Sequence, residues 1–165
     1  MSSLISEQTN IKLDELVTMF FAGNRLADRG MSQLDVKFCM NKTASILHPK
    51  IAHLFPALAD VVSDYQSSRN NKTVYGLTPR DDTEYSTPIE FFENLLDFMI
   101  EIEAFVFECY EVSKEDNDFM TKSFLESFIL KLNPLTKQCL LLVDKCNLYS
   151  DMMLFDNNIE DFIVL

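Results

Sequence analysis

Apolar residues recur along this chain at steps of three and four rather than two, the spacing that gathers one face of an α-helix. The clearest start signal is Thr87-Pro88-Ile89-Glu90. Thr87 is placed to cap, Pro88 stands where no N–H is needed, and Glu90 completes a capping box. From there Ile89, Phe92, Leu95, Leu96, Met99, Ile102, Val106 and Cys109 form one stripe, backed by a strongly acidic face. The polar cluster 113–118 predicts a turn. A second stripe follows through Thr121, Leu125, Phe128, Ile129, Leu132, Cys139, Leu140, Val143 and Cys146. Pro134 lies inside it, removes one backbone hydrogen bond and predicts a kink near Leu130.

Upstream, Pro49 fits a first helical turn, and Ile51, Leu54, Phe55, Leu58, Val61, Val62 and Tyr65 make a narrow stripe ending before Arg69-Asn70-Asn71. Pro56 is predicted to bend that helix. In the N-terminal third, Leu13, Leu16, Val17, Phe20, Ala27, Met31, Leu34 and Phe38 stay in phase across two glycines, as one long helix or two. If Gly30 breaks it, Ser32-Gln33-Leu34-Asp35 resembles a capping box that restarts it. Residues 70–86 are polar, contain Gly76 and Pro79, and are too long for a hairpin turn. They predict a crossover connection.

Four helices with a long link between the second and third predict an all-α, up-down-down-up four-helix bundle. No repeat or linker divides the chain, so 1–165 is expected to form one domain. The tail 149–165 mixes apolar residues with aspartates and predicts a short fifth helix, which is also a candidate to dock on a neighbouring subunit.

Composition narrows the function. With 47% hydrophobic residues and only 3 Gly and 5 Pro, the chain has the profile of a compact protein rather than a disordered one. Its 26 acidic against 14 basic residues give a net charge of -12, which repels a phosphate backbone. No basic arm offsets this, since Lys12 near the N-terminus stands against Glu7, Asp14 and Glu15. Direct nucleic-acid binding is not expected. Cys39, Cys109, Cys139 and Cys146 lack C-x-x-C spacing and read as reduced core thiols. The N-terminus has no basic region followed by an apolar run, and no stretch is apolar enough to span a membrane, so a cytoplasmic location without membrane association is the expectation.

The connectivity resembles that of the ferritin-like superfamily. Within it, Leu47-His48-Pro49-Lys50-Ile51-Ala52-His53-Leu54-Phe55 resembles the Leu-His-x-Lys-Phe-x-x-Leu-Tyr stretch of the Dps-like branch. Residues 90–146 are similar to that branch in helix length, in the Asn117-Asp118 turn and in the Phe124-Leu125 start. The resemblance implies iron binding, iron oxidation or peroxide protection, and hollow homo-oligomeric shells with metal between subunits. Departures are specific. Diiron ferritins carry Glu-x-x-His on the bundle interior, whereas here Ser45 precedes His48 and Lys50 precedes His53. Aligned without gaps, only His48 matches the Dps-like ligands, with Ala52, Ser63 and Ser67 where acids belong; a three-residue shift places Asp60 and Asp64 there instead. The resemblance therefore implies a substituted or lost ferroxidase centre.

The candidate ligands can also be weighed by position. His53, Asp60 and Asp64 share one helical face and suit iron, manganese or zinc, but that face lies opposite the apolar stripe and reads first as solvated surface unless a subunit interface covers it. His48 stands before Pro49 at the stripe's edge, either as an intersubunit ligand implied by the resemblance or as a residue packed against the helix start. Glu103 projects near Met99, Leu96 and Phe92. A buried carboxylate needs a partner or a metal, so Glu103 reads as a ligand or as a boundary residue paired with Lys122. Asp35 falls near the apolar face of the first helix and is placed to meet Glu103 across the bundle. The buried thiols and the 8 Met are core packing, and no phosphate loop or hydrolase pattern is present. Metal handling requires at least three of His48, His53, Asp35, Asp60, Asp64 and Glu103 to converge. The alternative is a non-catalytic helical interaction or oligomeric structural module.

Overall fold

The computed structural model describes residues 2–165. Helix α1 runs unbroken from Glu7 to Val36, with Ser6 capping it by accepting the Thr9 N–H at 3.2 Å. Gly30 does not divide it. Glycine stands there for packing, because a Cβ would lie 1.9 Å from Cε2 of Phe91 on a neighbouring helix.

The second bundle helix starts earlier than Pro49 predicts. It comprises α2 (Asn41–Leu47), a π turn (His48–Ala52) and α3 (Leu54–Ser68), so Pro49 stands inside the π turn. The restart at Leu54 puts Pro56 in the first turn of α3, where its missing N–H leaves no bond unmade. The Ala52 carbonyl, four residues before Pro56, instead accepts Asn24 Nδ2 at 3.0 Å. The irregularity expected at Pro56 is thus displaced into the turn before it.

Helix α4 (Pro88–Glu115) begins where the sequence predicts, although Thr87 supplies no side-chain cap and Glu90 accepts the N–H of Ser86, at 2.6 Å, instead of that of Thr87. Asn117 takes the left-handed conformation, with φ 57, to make the predicted turn, and Asp118 caps α5 (Phe119–Leu148) through the Thr121 N–H at 3.0 Å. α5 continues as one helix through Pro134.

These elements form a four-helix bundle in which α1 packs on α3 and α4, and α4 packs on α5. Its interior is aromatic and aliphatic. Phe20 meets Phe128 edge-on at 5.9 Å, Phe55 meets Phe98 at 6.2 Å, and Met99, Ile102, Leu132 and Leu135 are fully buried around them.

The crossover between α3 and α4 is an extended strap held along one line of α1. Asp14 accepts the Val74 N–H at 2.9 Å, and Thr18 Oγ1 accepts the Gly76 N–H at 3.0 Å. Arg25 donates to the Thr78 and Pro79 carbonyls, Arg29 and Gln33 to Thr83, and Lys37 to Tyr85. The strap lies so close that a Cβ on residue 76 would fall 2.8 Å from Thr18 Oγ1, so the strap or the Thr18 side chain would have to shift.

The tail forms α6 (Met152–Asn157) and a 3-10 turn (Ile159–Phe162) and packs on α2 and α5 of its own chain. Phe155, Ile159 and Phe162 are buried. Gln138 of α5 clamps the segment, donating to the Phe162 carbonyl at 2.9 Å and accepting the Val164 N–H at 2.7 Å. The short fifth helix expected of the tail is formed, with Phe155, Ile159 and Phe162 covered within the chain and Met153, Leu154 and Val164 exposed.

Candidate metal centre

The six predicted ligands do not gather at one place. Asp35 and His48 share a groove of about 460 Å³ between α1 and α2, lined on one side by Asp28, Ser32 and Asp35 and on the other by Asn41, Ser45 and His48. Both lines follow helical spacing, so each helix contributes a polar ridge. Asp35 is exposed, and its carboxylate accepts from Asn41 Nδ2.

His48 reaches Asp28 rather than Asp35. Its Nε2 lies 3.1 Å from Asp28 Oδ1, a buried oxygen that accepts no hydrogen bond. His53 stands five residues further on, a spacing that in an α-helix would separate the two rings by about 140° around the axis. The π turn closes that angle. Its wider loop brings the imidazoles to 4.6 Å between centroids, edge-on at 67°.

Asp60 and Asp64 lie exposed on α3, and among the described residues neither carboxylate has an ion pair or hydrogen bond. Asp60 is two turns beyond His53, about 10 Å along the axis. Glu103 is half-buried between α4 and α5, where its Oε1 accepts from Thr136 Oγ1 at 2.6 Å. It meets neither expected partner: Asp35 is with Asn41, and Lys122 faces Glu126 at 3.9 Å.

Among the described residues no three His, Cys, Asp or Glu side chains stand close enough together to hold a metal ion. The bundle interior fits an iron centre no better. Its buried polar side chains are Thr, Gln and Ser apart from Asp156, and Asp156 is committed to capping α2. The thiols offer no substitute. Burial pushes Cys109 and Cys139 up to about 12 and Cys146 to about 11, so all three stay protonated at neutral pH. Cys39, expected in the core, is exposed in the turn between α1 and α2, with φ 56.

Asp28 is the residue that sequence spacing missed. Its signal was the polar line Asp28, Ser32 and Asp35 at steps of four and three along α1, which a search for apolar periodicity passes over.

No family model and no curated protein matches the chain in sequence. Solved structures do match in shape. An open-pore ferritin from the hyperthermophilic archaeon Archaeoglobus fulgidus superposes with a TM-score of 0.87 at 17% identity, over 95% of this chain and 97% of that one. A humanized archaeal ferritin gives 0.86 at 18% identity over 98% of each chain. An iron-soaked PmFTN variant gives 0.83 at 16% identity, over 92% and 98%. No helix among the described residues is long and apolar enough to cross a membrane. Superposition over nearly the whole of both chains establishes that the chain has the ferritin-like four-helix-bundle fold.

Proposed function

We propose that this chain is a subunit of a ferritin-type homo-oligomer that holds iron as cargo and does not oxidise it inside its own bundle. The observation that carries the reading is a pairing of likeness and loss. The fold matches ferritins over nearly the whole of both chains, while the interior that would hold a ferroxidase centre is filled by Phe, Met, Ile and Leu. Peroxide protection of the Dps-like kind rests on the likeness of stretches 47–55 and 90–146 in sequence, and the ferritins that superpose favour storage over it.

A second reading has its own support. Phe107, Phe119, Leu130 and Leu148 are exposed on α4 and α5 at 62%, 70%, 72% and 75%. Burying such residues is favourable, so the bundle would serve as a metal-free interaction module if they bind another protein. Mass and iron content separate the two. Purified protein, incubated with ferrous iron under air, is expected to run as a large assembly that retains iron, with oxidation no faster than in a protein-free control. A metal-free monomer or dimer would overturn the storage reading and leave the interaction module.

A further inference from the structure

We propose that Asp28, His48 and His53, which do not converge as their side chains stand, close on one divalent first-row transition cation at the edge of the α1–α2 groove when His53 turns inward. Two ligand atoms are already in place. Asp28 Oδ1 and His48 Nε2 are 3.1 Å apart, yet the oxygen is buried and accepts no hydrogen bond. A buried carboxylate oxygen left without a donor is unfavourable. Adjacent ligand atoms on one cation, each bonded at about 2.0–2.2 Å, stand about 3 Å apart and need no hydrogen bond between them. The 3.1 Å spacing is that of a histidine–aspartate pair when His48 is protonated, and equally that of two donors on a shared ion when it is neutral.

His53 supplies the third donor. It is exposed on the same π turn, and among the described residues no hydrogen bond fixes its imidazole, whose ring rests edge-on against His48 at 4.6 Å. Rotation about its own side-chain torsions would be needed to turn a ring nitrogen from that packing toward the ion. The π turn thus acquires a role beyond accommodating proline, since it alone places residues five apart on one side of the helix.

Two imidazoles and one carboxylate select the cation class. They suit ferrous iron, cobalt and zinc, and leave positions for water, whereas magnesium and calcium prefer oxygen ligands. The acidic chain, at net charge -12, raises the local cation concentration. The site uses only residues of one chain and does not depend on assembly or iron storage.

The test uses full-length protein without a metal-binding tag, stripped by chelator and titrated with cobalt(II) or zinc(II). One equivalent is expected to bind, with cobalt giving visible d–d bands. Asp28→Asn, His48→Ala and His53→Ala are each expected to weaken binding at least tenfold, with unchanged helical circular dichroism; Asp60→Asn and Asp64→Asn should leave it unchanged. Equal affinity in the native protein and in His48→Ala or His53→Ala would overturn the site, as would the absence of stoichiometric binding. Mass in solution is measured in parallel, so loss of this site and loss of assembly read out separately.

Discussion

The carboxylate of Asp156 accepts the backbone N–H of Thr43 at 2.6 Å, so α2 is capped by a residue 113 positions away in sequence. Met40, at the start of α2, supplies no side-chain cap of its own. The tail thereby completes a helix terminus whose N–H groups would otherwise be buried without acceptors. Asp156→Ala is expected to lower stability by about 1–3 kcal/mol. Urea denaturation checks this, and Asp156→Asn, which keeps an acceptor oxygen, should lose less. Equal stability of the alanine variant and the native chain would show that the tail adds nothing to α2.

Gly30 and Phe91 make a second long-range pair. In an isolated helix, Gly→Ala would gain about 1 kcal/mol in propensity. Here the added Cβ meets the Phe91 ring at 1.9 Å, and overpacking of that kind costs about 1–3 kcal/mol. Gly30→Ala should therefore destabilise the protein in thermal melts. Combining it with Phe91→Leu should give a loss smaller than the sum of the two single variants.

The thiols give a test by titration. Cys39 alone is exposed, so a thiol reagent at pH 8 is expected to label one cysteine quickly in the folded protein and all four after unfolding. The three buried thiols keep their protons when folded, whereas the unfolded chain releases them near the ordinary value of 9.0. Their folded values are raised, so the associated stability is intact below pH 9 and declines as pH rises toward 11 or 12. The slope is about 1.4 kcal/mol per pH unit for each thiol. Tyr65 and Tyr85, also raised by burial, add to the loss above their ordinary value of 10.0. Cys139→Ala should shallow the alkaline decline, as read by denaturation at several pH values.

Much of this architecture is local in origin. Helical periodicity, the Pro88 start, the Asp118 cap and the left-handed Asn117 act within a few residues of where they stand, so α4, the turn, α5 and the crossover were legible along the chain. The absence of Glu-x-x-His was equally visible along the chain.

What the tertiary structure decided is whatever depends on neighbours distant in sequence. Gly30 left the first helix open as one or two because its propensity is local, and Phe91 makes it a packing residue in an unbroken helix. Glu103 faced the apolar stripe by periodicity, but its partner is Thr136 on the next helix. Asp14, Thr18, Arg25, Arg29 and Gln33 bind the strap that crosses them, a contact that no local pattern in α1 encodes. Asp28 and His48 meet only because α2 begins at Asn41 and a π turn follows it, and no step of three or four along either helix encodes that meeting. Hydrophobic period specifies which face a helix buries; what its polar residues touch is set by the side chains brought to them when the bundle closes.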